Sequence, residues 1–167
     1  MPGVDHLRMQ TRFVDGVTIR ALRNGDTATV SALFERLGER SRARRFCGAK
    51  PRLSEMELAN LARVDHEHHV LVGYVEGDPQ PVGIARLVRT GRSAEIAFAI
   101  ADAHQSRGIG STLAGELAAD ARAAGVTELV ATVCGDNPRI LALLERLGSL
   151  SQTWRGGERE LVVGLEH

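Results

Sequence analysis

Residues 94–112 read Ala94-Glu95-Ile96-Ala97-Phe98-Ala99-Ile100-Ala101-Asp102-Ala103-His104-Gln105-Ser106-Arg107-Gly108-Ile109-Gly110-Ser111-Thr112. The apolar run from Ala94 to Ile100 has the length of a strand, and beyond it the period changes. Leu113, Leu117, Ala121 and Ala124 fall on one helical stripe running from about Gly110 until Gly125 supplies a stop. The loop between strand and helix carries glycines at 108 and 110, which let its amides face outward. The helix behind them adds free N–H groups and the positive end of its dipole, a combination that suits a phosphate. Arg107 adds a charge, and Ser111 and Thr112 add hydroxyls. The same glycines also suit a turn that only lets a helix pack on a sheet. Two other phosphate loops are excluded: no lysine is near for a Walker A motif, and the third glycine of GxGxxG would fall on Leu113.

Working outward, Val70 to Val75 and Val82 to Val88 are further short apolar runs, with turn residues at Gly77-Asp78-Pro79 and Thr90-Gly91-Arg92. With Ala94 to Ile100 they predict an antiparallel meander. Upstream, Val17 to Arg20 predicts a strand, and Asp26 caps a helix whose Val30, Leu33, Phe34 and Leu37 keep helical spacing until Gly38. Ser54 followed by Glu57 is a capping box opening a helix to Leu61. Downstream, Leu129 to Val133 predicts a buried strand. Asn137-Pro138 opens a helix with Ile140, Leu143, Leu144 and Leu147 on its apolar face, and Gly148 closes it. Leu150 to Trp154 and Arg159 to Val163 flank Gly156-Gly157 as a terminal hairpin. The order is α/β with a mixed, mostly antiparallel central sheet and helices on both faces. Three consecutive hairpin strands exclude a pure doubly wound fold.

The chain has 167 residues and 18.0 kDa, is 43% hydrophobic and 25% charged, and carries no formal net charge, which fits one ordinary domain. We assign that domain to residues 14–163, with 1–13 an N-terminal extension and Leu165-Glu166-His167 resembling a tag remnant. No run of about 18 apolar residues is present to cross a membrane, and the first residues lack the order of a signal peptide. The expected location is cytoplasmic. Cys47 and Cys134 are far apart and form no CxxC pair, so both are expected to be reduced thiols. Of 21 basic residues only Lys50 is a lysine, and with four Phe, one Trp and one Tyr there is little to stack bases upon. Nucleic-acid binding is not expected.

The run Gln105-Ser106-Arg107-Gly108-Ile109-Gly110 matches the [Gln/Arg]-x-x-Gly-x-[Gly/Ala] signature of the GNAT superfamily of acyl-CoA-dependent N-acyltransferases, and it follows a strand and opens a helix as that family requires. Asn137, with Leu143 and Gly148 in register, resembles the family's second motif. The resemblance covers nearly the whole chain. It implies that Gln105, Ser106, Arg107, Gly108, Ile109, Gly110 and Ser111 bind the pyrophosphate of coenzyme A. It implies further that Phe98, Ala99 and Ile100 hydrogen-bond the pantetheine arm like an added strand, and that Asn137 helps hold it. Asn137 also reads as the cap of its own helix.

An amine attacks a thioester once deprotonated, so the site needs a base, an oxyanion donor and a proton for the departing thiolate. Glu95 interrupts the apolar strand near the coenzyme edge, where partial burial would tune it as a base; it also reads as a solvated charge near a hairpin turn. Leu53 to Leu58, Val64-Asp65-His66 and Ala94-Glu95-Ile96-Ala97 resemble the Pat-type protein-lysine acetyltransferases, in which a glutamate in the matching strand is the base and the acceptor is a lysine of an acyl-CoA synthetase. The chain departs from the broad family at the general acid: its usual tyrosine position is Leu144, and the one tyrosine is Tyr74. The thiolate is then expected to leave through water, with a backbone N–H near Phe98 to Ile100 as oxyanion donor.

The arginine-rich segment Arg36 to Arg52, with Arg40, Arg42, Arg44 and Arg45, lies where the family places its acceptor-binding loop. It reads as a face for an acidic protein acceptor, as a site for the adenosine phosphate, or as a solvated basic loop. Asp65-His66-Glu67-His68-His69 lacks HExxH spacing, and strand alternation sends His66 and His68 to one face and His69 to the other, so a polar strand entry or a substrate-facing histidine is expected rather than a metal. The sequence thus predicts an acetyl-CoA-dependent N-acetyltransferase with a protein lysine as favoured acceptor and Glu95 as base. Its alternatives are a small-amine or antibiotic N-acetyltransferase and a non-catalytic acyl-CoA sensor. The resemblance also implies homodimers that pair edge strands.

Overall fold

The computed structural model describes residues 11–135 and 137–165. An eight-stranded sheet in the order β1-β2-β3-β4-β5-β6-β8-β7 forms its centre. The strands are β1 (Arg12–Val14), β2 (Val17–Ala21), β3 (His68–Val75), β4 (Gly83–Thr90), β5 (Ser93–Ile100), β6 (Glu128–Cys134), β7 (Ser149–Arg155) and β8 (Glu158–Gly164). Among the described residues five α-helices accompany them: α1 (Thr27–Glu35), α2 (Glu39–Phe46), α3 (Glu55–Leu61), α4 (Ile109–Ala123) and α5 (Pro138–Glu145). All pairings are antiparallel except β5 with β6. The expected meander is β3-β4-β5, and the expected hairpin is β7-β8, whose Gly156 and Gly157 both take positive φ.

Strand alternation divides the core between the two faces. On one face Leu71, Ala85, Leu87 and Ile96 pack with Ile109, Leu113, Leu117 and Ala121 of α4 in the larger cluster, which Leu144 of α5 joins. On the other, Val70 and Val72 pack with Val30 of α1, Ala62 and the α3 residues Leu58 and Leu61. The local signals work as read: Asp26 caps α1 by accepting from the Thr29 amide, and Ser54 with Glu57 forms the reciprocal capping box of α3.

Four features differ from the sequence reading. β1 begins at Arg12, because Arg12 pairs across to Ile19 and its guanidinium ties the strand to Glu116 (2.8 Å) and Asp120 (2.9 Å) of α4. Leu165 is 6% exposed and its amide donates to Thr127 O, so the core reaches past the expected boundary at residue 163; residues 166 and 167 lie outside the described residues. The arginine-rich segment contains helix α2, which buries no residue and therefore has no apolar stripe to reveal it. Cys47 and Cys134 are joined in a disulfide across a sequence separation of 87, where reduced thiols were expected. Folding sets the α2 cap against the end of β6, a proximity that separation alone conceals.

Candidate active site

β5 and β6 pair only through Ser93↔Glu128, Ala94↔Leu129 and Glu95↔Val130. Past Glu95 the two parallel strands diverge, while β5 stays fully paired to β4 as far as Ile100. The edge of β5 from Ile96 onward therefore keeps backbone donors and acceptors that no neighbouring strand takes up. A cavity of about 610 Å³ occupies this opening. Its walls are β5 from Glu95 to Ile100, β6 from Ala131 to Val133, the phosphate-loop residues Gln105, Ser106, Gly108, Gly110 and Ser111, and side chains of α2 and α5.

The loop has the geometry of an anion cradle. Gly108 caps α4 with φ +80°, and Ser106 takes φ +63°, a left-handed conformation uncommon for a residue with a side chain. The Thr112 amide bonds Gly108 O at 3.0 Å, so the preceding amides of Ile109, Gly110 and Ser111 are those α4 leaves without an intrahelical partner. Free N–H groups at a helix N-terminus, turned outward by left-handed residues beside it, favour an anion. Behind the array a Cβ on Gly110 would touch Leu143 and Ile100, which shows how closely α4, α5 and β5 meet.

The structure sorts the residues expected in the site. Glu95, Phe98, Ala99, Ile100, Gln105, Ser106, Gly108, Gly110, Ser111 and Asn137 all line the cavity. Ile109 does not: at 4% exposure its side chain belongs to the core, and only its amide is available. Arg107 is exposed beside the loop with its Nη1 3.5 Å from His104 Nδ1. Gln105 is a structural hub: its Nε2 donates to Ile100 O (3.0 Å) and Ser41 Oγ (3.0 Å), and its Oε1 accepts from Arg139 Nη1 (3.0 Å). One side chain thus ties the loop to β5, α2 and α5. Asn137 accepts from the Ile140 amide as the cap of α5 while also lining the cavity.

Glu95 is the one carboxylate in the wall among the described residues, a wall that also carries Arg44, Arg45, Arg139 and Arg146. It is exposed, so the partial burial expected from its place in an apolar strand does not occur. It projects on the sheet face of Val70 and Val72, the face that carries α1 and α3. Leu144, at 0% exposure, lies in the core, and Tyr74 does not reach the cavity. The site therefore has no tyrosine in its wall. The histidine cluster is dispersed: His68 Nδ1 meets Asp65 at 2.8 Å and holds that carboxyl well below its usual range, while His69 points to the other face and meets Asp120 at 2.7 Å.

The site combines helix-capping amides, a strand edge opened by divergence and one wall carboxylate at the last β5–β6 pair. The profile of the Acetyltransferase (GNAT) family matches residues 32–149, and the chain belongs to that family. Members of that family are acetyltransferases. Acetyltransferase Pat of Mycolicibacterium smegmatis is 39% identical over 97 residues, covering 56% of this chain and 29% of the relative. The chain thus spans less than a third of the length of that curated relative. The GNAT domain of S. lividans PAT superposes with a TM-score of 0.80 at 25% identity, covering 89% of this chain and 90% of that one. A spermidine N-acetyltransferase from Vibrio cholerae, solved with CoA and spermine, superposes with a TM-score of 0.68 at 21% identity over 90% and 96% of the two chains, which shows the shared fold.

Proposed function

We propose that this protein acetylates a lysine side chain of a protein acceptor, an acyl-CoA synthetase being the favoured class, with Glu95 as general base. The observation that carries this is the position of Glu95: the one wall carboxylate, at the last β5–β6 pair, where the acetyl end of a coenzyme threaded along β5 would stop. The resemblance of Leu53 to Leu58, Val64-Asp65-His66 and Ala94 to Ala97 to the Pat-type protein-lysine acetyltransferases, together with the likeness to Pat of Mycolicibacterium smegmatis, favours lysine over a small amine. The amides of residues 109–111 would take the pyrophosphate, Phe98 to Ile100 would pair with the pantetheine as a strand would, and Asn137 would flank it.

In the reaction Glu95 takes a proton from the lysine ammonium, directly or through one water. The freed amine attacks the thioester carbon, and a β5 amide between Phe98 and Ile100 receives the oxyanion. The C–S bond then breaks, and the thiolate takes a proton from water, the least demanding step because a thiol has a pKa of about 8.5. The open cavity mouth supplies that water. Acetyl-CoA is made and used in the cytoplasm, the compartment this reading implies. Thiol release with a purified acyl-CoA synthetase tests it, and an acceptor that stays inert while free polyamines turn over would overturn it.

A further inference from the structure

Arg45 sits in the last turn of α2 and lines the cavity with Glu95. Its guanidinium lies 4.9 Å from the centroid of the Phe46 ring, which packs edge-on against Phe34 with ring centroids 5.9 Å apart. Among the described residues no carboxylate lies within 4.0 Å of Arg45 and no acceptor takes a hydrogen bond from it. Its neighbour across the sheet face is another arginine. Arg86 pairs with Ala97 and so stands diagonal to Glu95 on the same face; its Nη2 donates to Asn60 O at 3.1 Å, and its Nε is buried without a partner. Burial and the charge of Arg86 push Arg45 down to about 10, against the opposing pull of Glu95.

Around the catalytic end of the cavity there are thus two guanidiniums for one carboxylate. A partly desolvated guanidinium with unmatched donors is costly, and a bound anion would relieve it. The coenzyme phosphates do not reach this place. They belong at the loop beyond Ile100, five residues along β5 from Glu95, or roughly 17 Å at 3.4 Å per residue. What can reach Arg45 is the acceptor, and the planar fork of an arginine fits a carboxylate.

We propose that Arg45 selects the acceptor by pairing with a carboxylate beside the reactive lysine, so that the substrate class is lysine flanked by an acidic residue. The assignment rests on the lysine-acceptor reading above. Arg45 acts on the acceptor and takes no part in the proton transfers. Cationic polyamines, which carry no carboxylate, would meet repulsion at the same point.

The test compares two synthetic peptides that differ only in Glu or Gln on both sides of one lysine, using wild-type protein, Arg45→Gln and Arg45→Lys, with acetyl-CoA affinity measured in parallel. The expected result is a wild-type kcat/KM about tenfold or more higher for the Glu peptide, carried mainly by KM. Arg45→Gln brings the ratio to within about twofold of unity, and Arg45→Lys restores part of it. Equal use of the two peptides by the wild type, or an unchanged ratio in Arg45→Gln, overturns the assignment. Should Arg45→Gln not fold, the wild-type ratio and Arg45→Lys still decide. Turnover of free amines with neither peptide accepted overturns the lysine reading itself, a result distinct from equal use of both.

Discussion

Glu95 and Val130 form the last rung of the only parallel ladder among the described residues, and the opening that holds the cavity starts immediately beyond them. The carboxylate is therefore fixed at the closed end of a slot whose open end is the phosphate loop. That relationship sets the distance between Glu95 and the glycine-rich loop through strand geometry.

The cradle depends on Gly108, whose φ of +80° a residue with a Cβ reaches at a cost of about 1–2 kcal/mol. No atom lies within 4 Å of where that Cβ would be, so the cost is conformational. Gly108→Ala is expected to weaken acetyl-CoA binding about tenfold by calorimetry while the far-UV spectrum stays native. Unchanged affinity would mean that the loop amides do not hold the phosphates.

How much of this was legible follows from what each signal requires. The meander and α4 could be read because the hydrophobic period switches from short runs to a helical stripe, and α3 because Ser54 and Glu57 cap it. Helix α2 could not, since Glu39-Arg40-Ser41-Arg42-Ala43-Arg44-Arg45-Phe46 has no apolar face and buries nothing. The phosphate loop stood out by its two glycines, yet the role of Gln105 as a tie between three elements needed the fold. Glu95 was identified as the odd charge in an apolar strand, although its exposure was not foreseen. The splay of β5 from β6 is a property of pairing, which no single strand encodes, and the same holds for the Cys47–Cys134 link.

That link closes a long loop in the unfolded chain, and a separation of 87 corresponds to about 4.6 kcal/mol of chain entropy. Replacing both cysteines by serine is expected to lower Tm by about 10–20 °C. A reductant should lower the wild-type Tm by a similar amount and leave the double variant unmoved. A wild-type melt indifferent to reductant, with free thiols counted in the native protein, would contradict the bond.

Asp120 joins α4 to β1 and β3 by accepting from Arg12 at 2.9 Å and His69 at 2.7 Å. Burial alone would raise its pKa, but the hydrogen bonds from His69 and Arg12 outweigh it, and the carboxyl is held below its ordinary value. A depressed folded-state pKa gives stability that is present above the unfolded value of about 3.9 and lost as pH falls through the folded one. Urea melts should therefore show Asp120→Asn about 1–3 kcal/mol less stable than wild type at pH 7, with the gap closing below about pH 4. A gap of equal size at pH 7 and pH 3 would show that the charge of Asp120 contributes nothing.

The most direct test of the account is the rate of thiol release from acetyl-CoA with an acyl-CoA synthetase as acceptor, for wild type and Glu95→Gln across pH. The account predicts a fall of about 10²–10⁴-fold in kcat near neutral pH with acetyl-CoA affinity intact. The loss should shrink as pH rises toward about 10.4, where the lysine ionises unaided. A Glu95→Gln variant that keeps the wild-type rate and pH profile would contradict the assignment of Glu95 as the base.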